Sequence, residues 1–94
     1  MGYKSQASNF ASTAFGKETT ASGQYATAMG QQTTASQNAS TAMGNETTAS
    51  GIASTAMGAN TEASGDYSTA LGRGTSSNGE TATAIGQFLS LIHI

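Results

Sequence analysis

Large apolar residues recur at one position along the chain, once every 14 residues. Each follows the dipeptide Thr-Ala and precedes Gly, so one segment of every repeat reads Thr-Ala-Φ-Gly, where Φ is Phe, Met, Leu or Ile. The Φ residues are Phe15, Met29, Met43, Met57, Leu71 and Ile85, and the glycines after them are Gly16, Gly30, Gly44, Gly58, Gly72 and Gly86. A phase held across six copies indicates a repeat architecture.

A second segment lies seven residues out of phase and reads Thr-x-Ala-Ser-Gly, as in the copy that ends at Gly23. Glycine every seventh residue and many Ser and Thr residues exclude a coiled coil. Thr favours strands, and Gly accepts the positive φ of a tight corner, so the glycines after Φ are predicted to be structural corner glycines. The pattern therefore predicts an all-β fold, a parallel β-roll or solenoid of 14-residue coils with two short strands per coil. Gln37 occupies one of these glycine positions, where it is expected to cost about 1 kcal/mol.

The alternation of a strand predicts which side chains enter the roll. Ala precedes Φ in one strand and Ser in the other, so the two Ala columns are expected to fill a narrow interior, with Ser, Thr or Ala two positions earlier. The Φ residues then form an outward apolar stripe, the predicted interface with further copies of the chain. The alternative is a fatter monomeric roll with Φ inside and Ala outside.

Composition supports an unconventional core. Only 9% of the residues are charged, the net charge is −2, and Pro and Cys are absent. Half of the hydrophobic 36% is Ala, which leaves too little for a core of large side chains. Without Cys there are no disulfides or thiolate metal sites, and the charge balance provides no basic surface for nucleic acid.

The last six residues, LSLIHI, depart from the repeat. They match the translation of one reading frame of a common transposon-based sequencing adapter. We therefore expect residues 1–88 to be a fragment of the roll and residues 89–94 to be adapter read-through rather than native sequence. The alternative is a genuine apolar strand or the start of a stalk. His93, the single histidine, belongs to this tail.

The remaining residues do not predict an enzyme. The acidic residues lie at or beside corners, mostly in different coils, and no dependable histidine activates a serine. They are Glu18, Glu46, Glu62, Asp66 and Glu80. No catalytic residue, cofactor site or metal site is therefore predicted. Two glycosylation sequons, at Asn38 and Asn45, are expected by chance in a chain so rich in Ser and Thr.

Three aromatic residues, Phe10, Tyr25 and Tyr67, fall in equivalent corners. They are interpreted first as caps over the edge of the roll, and second as ligand contacts.

The repeats resemble a known family. Ala39–Gly44 followed by Thr47–Gly51 is similar to the head repeats of YadA-like trimeric autotransporter adhesins and of related haemagglutinin-like proteins of Gram-negative bacteria. The resemblance covers residues 1–88, although the family's frequent motif Asn-Ser-Val-Ala-Ile-Gly has Thr here in place of Val. It implies a left-handed β-roll, a homotrimer, and a bacterial cell-surface adhesin that binds an extracellular matrix or host-surface ligand. The outer-membrane anchor is expected in a missing C-terminal region.

Two other functions remain open. One is an ice-binding Thr-rich β-solenoid, which the mixing of Thr with Φ on one face and the change to Glu62 and Ser76 on the other disfavour. The other is a passive spacer, as in repeats of phage tail fibres.

Overall fold

The computed structural model describes residues 4–87 and 90–91, and this part of the chain is built from parallel strands of two lengths. The five-residue strands are β2 (Thr13–Lys17), β4 (Thr27–Gln31), β6 (Thr41–Asn45), β8 (Thr55–Ala59), β10 (Thr69–Arg73) and β12 (Thr83–Gln87). The two-residue strands are β1 (Gln6–Ala7), β3 (Thr20–Ala21), β5 (Thr34–Ala35), β7 (Thr48–Ala49), β9 (Glu62–Ala63), β11 (Ser76–Ser77) and β13 (Ser90–Leu91). Long and short strands alternate along the chain, one of each per coil.

Each strand pairs with its equivalent in the next coil. The long strands form a six-stranded sheet and the short strands a seven-stranded sheet, both in coil order. Met29 lies beside Met43, and Gly30 beside Gly44, so the register is the 14-residue period of the sequence. The all-β roll of 14-residue coils with two strands per coil is confirmed, although the second strand is shorter than the four or five residues expected.

The interior contains only small side chains. Ala28 in β4 and Ala35 in β5 are 0% exposed, and the same two positions are buried from Ala14 to Ala84, whereas Ala7 in the first coil is exposed. Two positions before each Ala column lies a buried hydroxyl or methyl group, such as Ser40 or Thr47. The Cα atoms extend 34 × 22 × 10 Å along the principal axes. Two sheets about 10 Å apart leave room for Ala, Ser and Thr but not for a core of Leu or Phe.

The glycines after Φ have the positive φ expected of them, but they lie within the long strands, just before the corners. Gly44 is the fourth residue of β6 and has a φ of +117°. A Cβ atom there would lie 2.0 Å from the carbonyl oxygen of Gly58 in the next coil. The left-handed conformation of this corner belongs to Glu46, two residues later, with φ of +58°. Glycine is needed at position 44 because coils approach closely there and because the backbone has positive φ.

The second corner shows the same displacement. Ala26 N–H donates to the Gly23 carbonyl at 3.1 Å, which closes a four-residue turn. Its third residue, Tyr25, has φ of +62°, whereas Gly23 itself has no positive φ. Gln37, in the position equivalent to Gly23, also lacks positive φ, and Ala39 has it instead. The reason for an unfavourable Gln37 was therefore wrong.

Hydrogen bonds between coils hold these left-handed residues in place. Glu46 N–H donates to the Gln31 carbonyl at 2.8 Å, and Ala39 N–H donates to the Gln24 carbonyl at 2.8 Å. In both cases a residue of one coil bonds to the preceding coil. These bonds offset the steric cost of positive φ in residues other than glycine.

The C-terminal tail contributes one described strand. The backbone of Ser90–Leu91 pairs in parallel with Ser76–Ser77, which continues the 14-residue register. Backbone pairing does not distinguish native residues from residues encoded by an adapter, so adapter read-through remains a prediction. His93 lies outside the described residues. The described part of the chain contains no helix with the length and apolar character of a membrane span.

Candidate functional surfaces

The Φ residues form a continuous stripe on the outer face of the long-strand sheet. We call this stripe, made of Phe15, Met29, Met43, Met57, Leu71 and Ile85, the Φ ladder; its members are aligned by the strand register. The two end members lie on the outermost strands and are the most exposed, Phe15 at 56% and Ile85 at 62%. The four between them are half-buried because neighbours in the stripe cover them.

The burial pattern decides between the two orientations that the sequence left open. Ala42 is 0% exposed, whereas Met43 beside it is half-buried at the surface. The fatter roll with Φ inside and Ala outside is therefore wrong. Single exposed apolar residues are common on protein surfaces, but an aligned stripe of six is typical of an interaction surface.

The face formed by the short strands is polar. Thr20, Thr34 and Thr48 are half-buried in one column, and Glu62 continues that column in the next coil. A Ser column runs parallel to it on the same face, as in Ser36. The Thr column is thus three residues long before a carboxylate interrupts it.

One edge of the roll, the polar edge, is formed by residues 17–18, 31–32, 45–46, 59–60 and 73–74. Gln32 Nε2 donates to Glu18 Oε1 at 3.2 Å across neighbouring coils. Lys17 and Arg73 also lie on this edge, at the ends of their long strands. Positive and negative charges are therefore mixed here.

The opposite edge carries the aromatic residues. We call it the aromatic edge; it consists of the turns at residues 9–11, 23–25, 37–39, 51–53, 65–67 and 79–81. Phe10 is 64% exposed, Tyr25 55% and Tyr67 58%. The rings of Phe10 and Tyr25 pack edge to face with centroids 5.5 Å apart. All three rings are thus more than half exposed at this edge.

Ile52 was missed as a member of this edge. It is 41% exposed in the turn at residues 51–53, and the equivalent positions of the preceding and following coils are Asn38 and Asp66. The 14-residue spacing from Asn38 to Ile52 and from Ile52 to Asp66 was the signal that would have found it.

The serine and threonine of the two sequons point inward. Ser40, in the sequon of Asn38, is buried and its hydroxyl donates to the Gln37 carbonyl at 2.7 Å. Thr47, in the sequon of Asn45, is 0% exposed. Hydroxyl groups buried in this way are inaccessible to a glycosylating enzyme while the roll is folded.

No group of three His, Cys, Asp or Glu side chains suited to a metal ion occurs among residues 4–87 and 90–91. Nor is a cavity present in this described part. Extended faces and edges, rather than a pocket, are thus the surfaces available for function.

Comparison with family models identifies the repeats. A model described as the YadA head domain repeat (2 copies) matches residues 7–33, 21–47, 49–75 and 63–88. These matches span nearly the whole roll. The chain belongs to the YadA head repeat family. A comparison with curated proteins gives no significant match.

Membership in the YadA head family describes this chain at a coarse level. The family is a structural adhesin family rather than an enzyme family, and its heads are trimeric and exposed at bacterial surfaces. The chain is therefore an adhesin-like segment of the trimeric autotransporter type.

Proposed function

We propose that this chain is part of the head of a trimeric cell-surface adhesin that attaches a bacterium to matrix proteins, host cells or solid surfaces. The observation that carries the proposal is the Φ ladder on a YadA-type roll. The roll would be left-handed, as the family resemblance implies, and anchored in the outer membrane by C-terminal regions of a longer protein.

Assembly is proposed to occur through the Φ ladder. With equal ladders around a threefold axis, each coil would contribute one apolar layer made of three Φ side chains. Most members are already half-buried by their neighbours, so each would gain about 1 kcal/mol on association rather than the full ~1.5–3 kcal/mol of a free side chain. Six such layers would supply most of the large apolar burial in a fold whose interior holds only Ala, Ser and Thr.

Two measurements test the proposal. Sedimentation equilibrium of the purified chain should give three times the chain mass of 9.3 kDa. Beads coated with the trimer should adhere to immobilised matrix proteins more than beads coated with an unrelated β-solenoid. A stable monomer would remove the trimer, and a trimer without adhesion would indicate a spacer.

A further inference from the structure

The aromatic edge carries both exposed tyrosine rings and carboxylate side chains. Tyr25 and Tyr67 occupy the same position in their turns, three coils apart. At about 4.8 Å per coil, their backbones are about 14 Å apart along the stack. Ala39 and Ala53 occupy that position in the two turns between them. The two tyrosine rings thus lie on either side of the small side chains of Ala39 and Ala53.

Both tyrosines adopt a backbone conformation that is unfavourable for a bulky residue. Tyr25 has φ of +62° and Tyr67 of +63°, in the left-handed region where a non-glycine residue costs about 1–2 kcal/mol. The equivalent residues Ala11, Ala39, Ala53 and Thr81 have the same conformation, so it belongs to the turn of every coil rather than to the tyrosines. Because Ala occupies this position in other coils, the turn does not require a ring there, and the exposed rings of Tyr25 and Tyr67 are available for recognition.

The same edge carries negative charge without positive charge. Asp66 and Glu80 are exposed in consecutive turns. The three Lys and Arg residues of the chain, Lys4, Lys17 and Arg73, all lie at positions of the opposite corner. Asp66 Oδ1 accepts a hydrogen bond from Ile52 N–H at 3.1 Å. This bond holds the carboxylate of Asp66, the sequence neighbour of Tyr67, against the Ile52 backbone in the preceding turn.

We propose that the aromatic edge binds a cationic, extended segment of a partner protein. This rests on the proposed function, because it names the ligand class of a surface-exposed adhesin head. One Arg or Lys of the segment would lie against Tyr67 and pair with Asp66, and a second would stack on Tyr25. An extended chain advances about 3.3 Å per residue, so two cationic residues four positions apart span the ~14 Å between the rings.

The aromatic edge is distinct from the Φ ladder. Tyr25 lies in the turn at residues 23–25, whereas Met29 lies within β4 on the outer face of the long-strand sheet. Variants of the edge therefore leave the proposed subunit interface unchanged, and ligand binding and assembly are separable measurements.

The test uses the full chain and a fluorescently labelled peptide with two Arg residues four positions apart in a Gly/Ser background. Its counterpart has Gln at both positions. Fluorescence anisotropy should show binding of the Arg peptide but not of the Gln peptide. Asp66→Asn and Tyr67→Ser should each weaken binding about two- to fivefold. Tyr67→Phe, which retains the ring face, should keep binding close to that of the unmodified chain.

Glu46→Gln provides the matched control. Glu46 is an exposed residue of the polar edge, and its substitution makes the same charge change as Asp66→Asn. If Glu46→Gln weakens binding equally, the attraction depends on net charge alone and the proposal is wrong. Binding of neutral oligosaccharides in place of the Arg peptide would also overturn it, because the ligand would then be a glycan.

Circular dichroism and sedimentation of the same samples separate misfolding and assembly from ligand binding. A monomer that binds the Arg peptide through Asp66 and Tyr67 supports the edge and removes the trimer. A folded trimer that ignores the peptide removes the cationic ligand and leaves the adhesin proposal standing.

Discussion

Ser54 and Gly51 form two hydrogen bonds across a single turn. The Ser54 hydroxyl donates to the Gly51 carbonyl at 2.7 Å and accepts from the Gly51 N–H at 3.2 Å. Ser68 occupies the same column one coil later, yet its buried Oγ has no hydrogen-bond partner among the described residues. Two chemically identical side chains in equivalent positions thus differ in whether the hydroxyl is satisfied.

Ser54→Ala should therefore destabilise the fold by about 1 kcal/mol, because it removes both bonds and leaves the Gly51 N–H with only its 3.3 Å bond to the Ala63 carbonyl. Ser68→Ala should be neutral or slightly stabilising, because it removes an unsatisfied buried hydroxyl. Urea unfolding monitored by circular dichroism measures both. Equal losses in the two variants would show that Ser68 has a partner in solution.

A column of buried threonines also has hydroxyl groups without hydrogen-bond partners among the described residues. Thr19, Thr33, Thr47, Thr61 and Thr75 each have an Oγ1 atom without a hydrogen-bond partner in the described part of the chain. Thr47→Val keeps the shape and removes the hydroxyl, so it should leave the free energy of unfolding unchanged or raise it by up to about 1 kcal/mol. Thr47→Ala is the control; it leaves a void and should lower stability by about 1 kcal/mol. A large loss in the Val variant would contradict this account of the interior.

Glycine follows Φ for two reasons, the close approach of the next coil and the positive φ of the backbone. A comparison of Gly44 with Gly86 distinguishes them. Both have strongly positive φ, +117° and +139°. A Cβ at Gly44 would lie 2.0 Å from the Gly58 carbonyl oxygen, whereas a Cβ at Gly86 would meet nothing within 4 Å. Gly44→Ala should cost about 3 kcal/mol or more, and Gly86→Ala only the ~1–2 kcal/mol of backbone strain. Thermal unfolding of both variants measures the difference, and similar midpoints would mean that the coils separate readily.

The positions of the left-handed residues show where reasoning from the sequence fails. The period, the inward Ala columns and the outward Φ residues follow from alternation within strands, which is local. The reason for glycine at Gly51 is not local: a Cβ there would lie 2.1 Å from the Gly65 carbonyl oxygen in the next coil. Ala53 has φ of +56° and is held by its hydrogen bond to the Asn38 carbonyl at 2.8 Å. Both are contacts between stacked coils, which residue propensities do not encode.

The functional surfaces divide in the same way. Residues of the Φ ladder could be named from the sequence because size alone distinguishes them from Ala. The aromatic edge was recognised only through its rings, because Ile52 and Asp66 gain significance from the coil stacking that brings them together.

Replacement of Ala39 by glycine should stabilise the fold. Its φ of +58° costs about 1–2 kcal/mol for a residue with a Cβ, and glycine regains this cost less its own ~0.5–1 kcal/mol of chain entropy. Ala39→Gly should therefore raise the free energy of unfolding by up to about 1 kcal/mol. Ala59→Gly, at the end of strand β8 where φ is not positive, should lower it by about 0.5–1 kcal/mol. Chemical denaturation compares the two, and changes of the same sign would refute the assignment.

Met43 and Thr48 are half-buried residues on opposite faces of the same roll. Met43→Asp would place a carboxylate inside the proposed interface, where three copies would repel one another without solvation. Assembly should weaken by more than about tenfold, equivalent to ~1.4 kcal/mol. Thr48→Asp adds the same charge to the polar face, where Glu62 is its neighbour in the next coil. This variant should change assembly little. Sedimentation over a range of concentrations measures both. If Thr48→Asp dissociates the chain as strongly as Met43→Asp, the short-strand face also takes part in assembly, and the Φ ladder cannot be the sole interface.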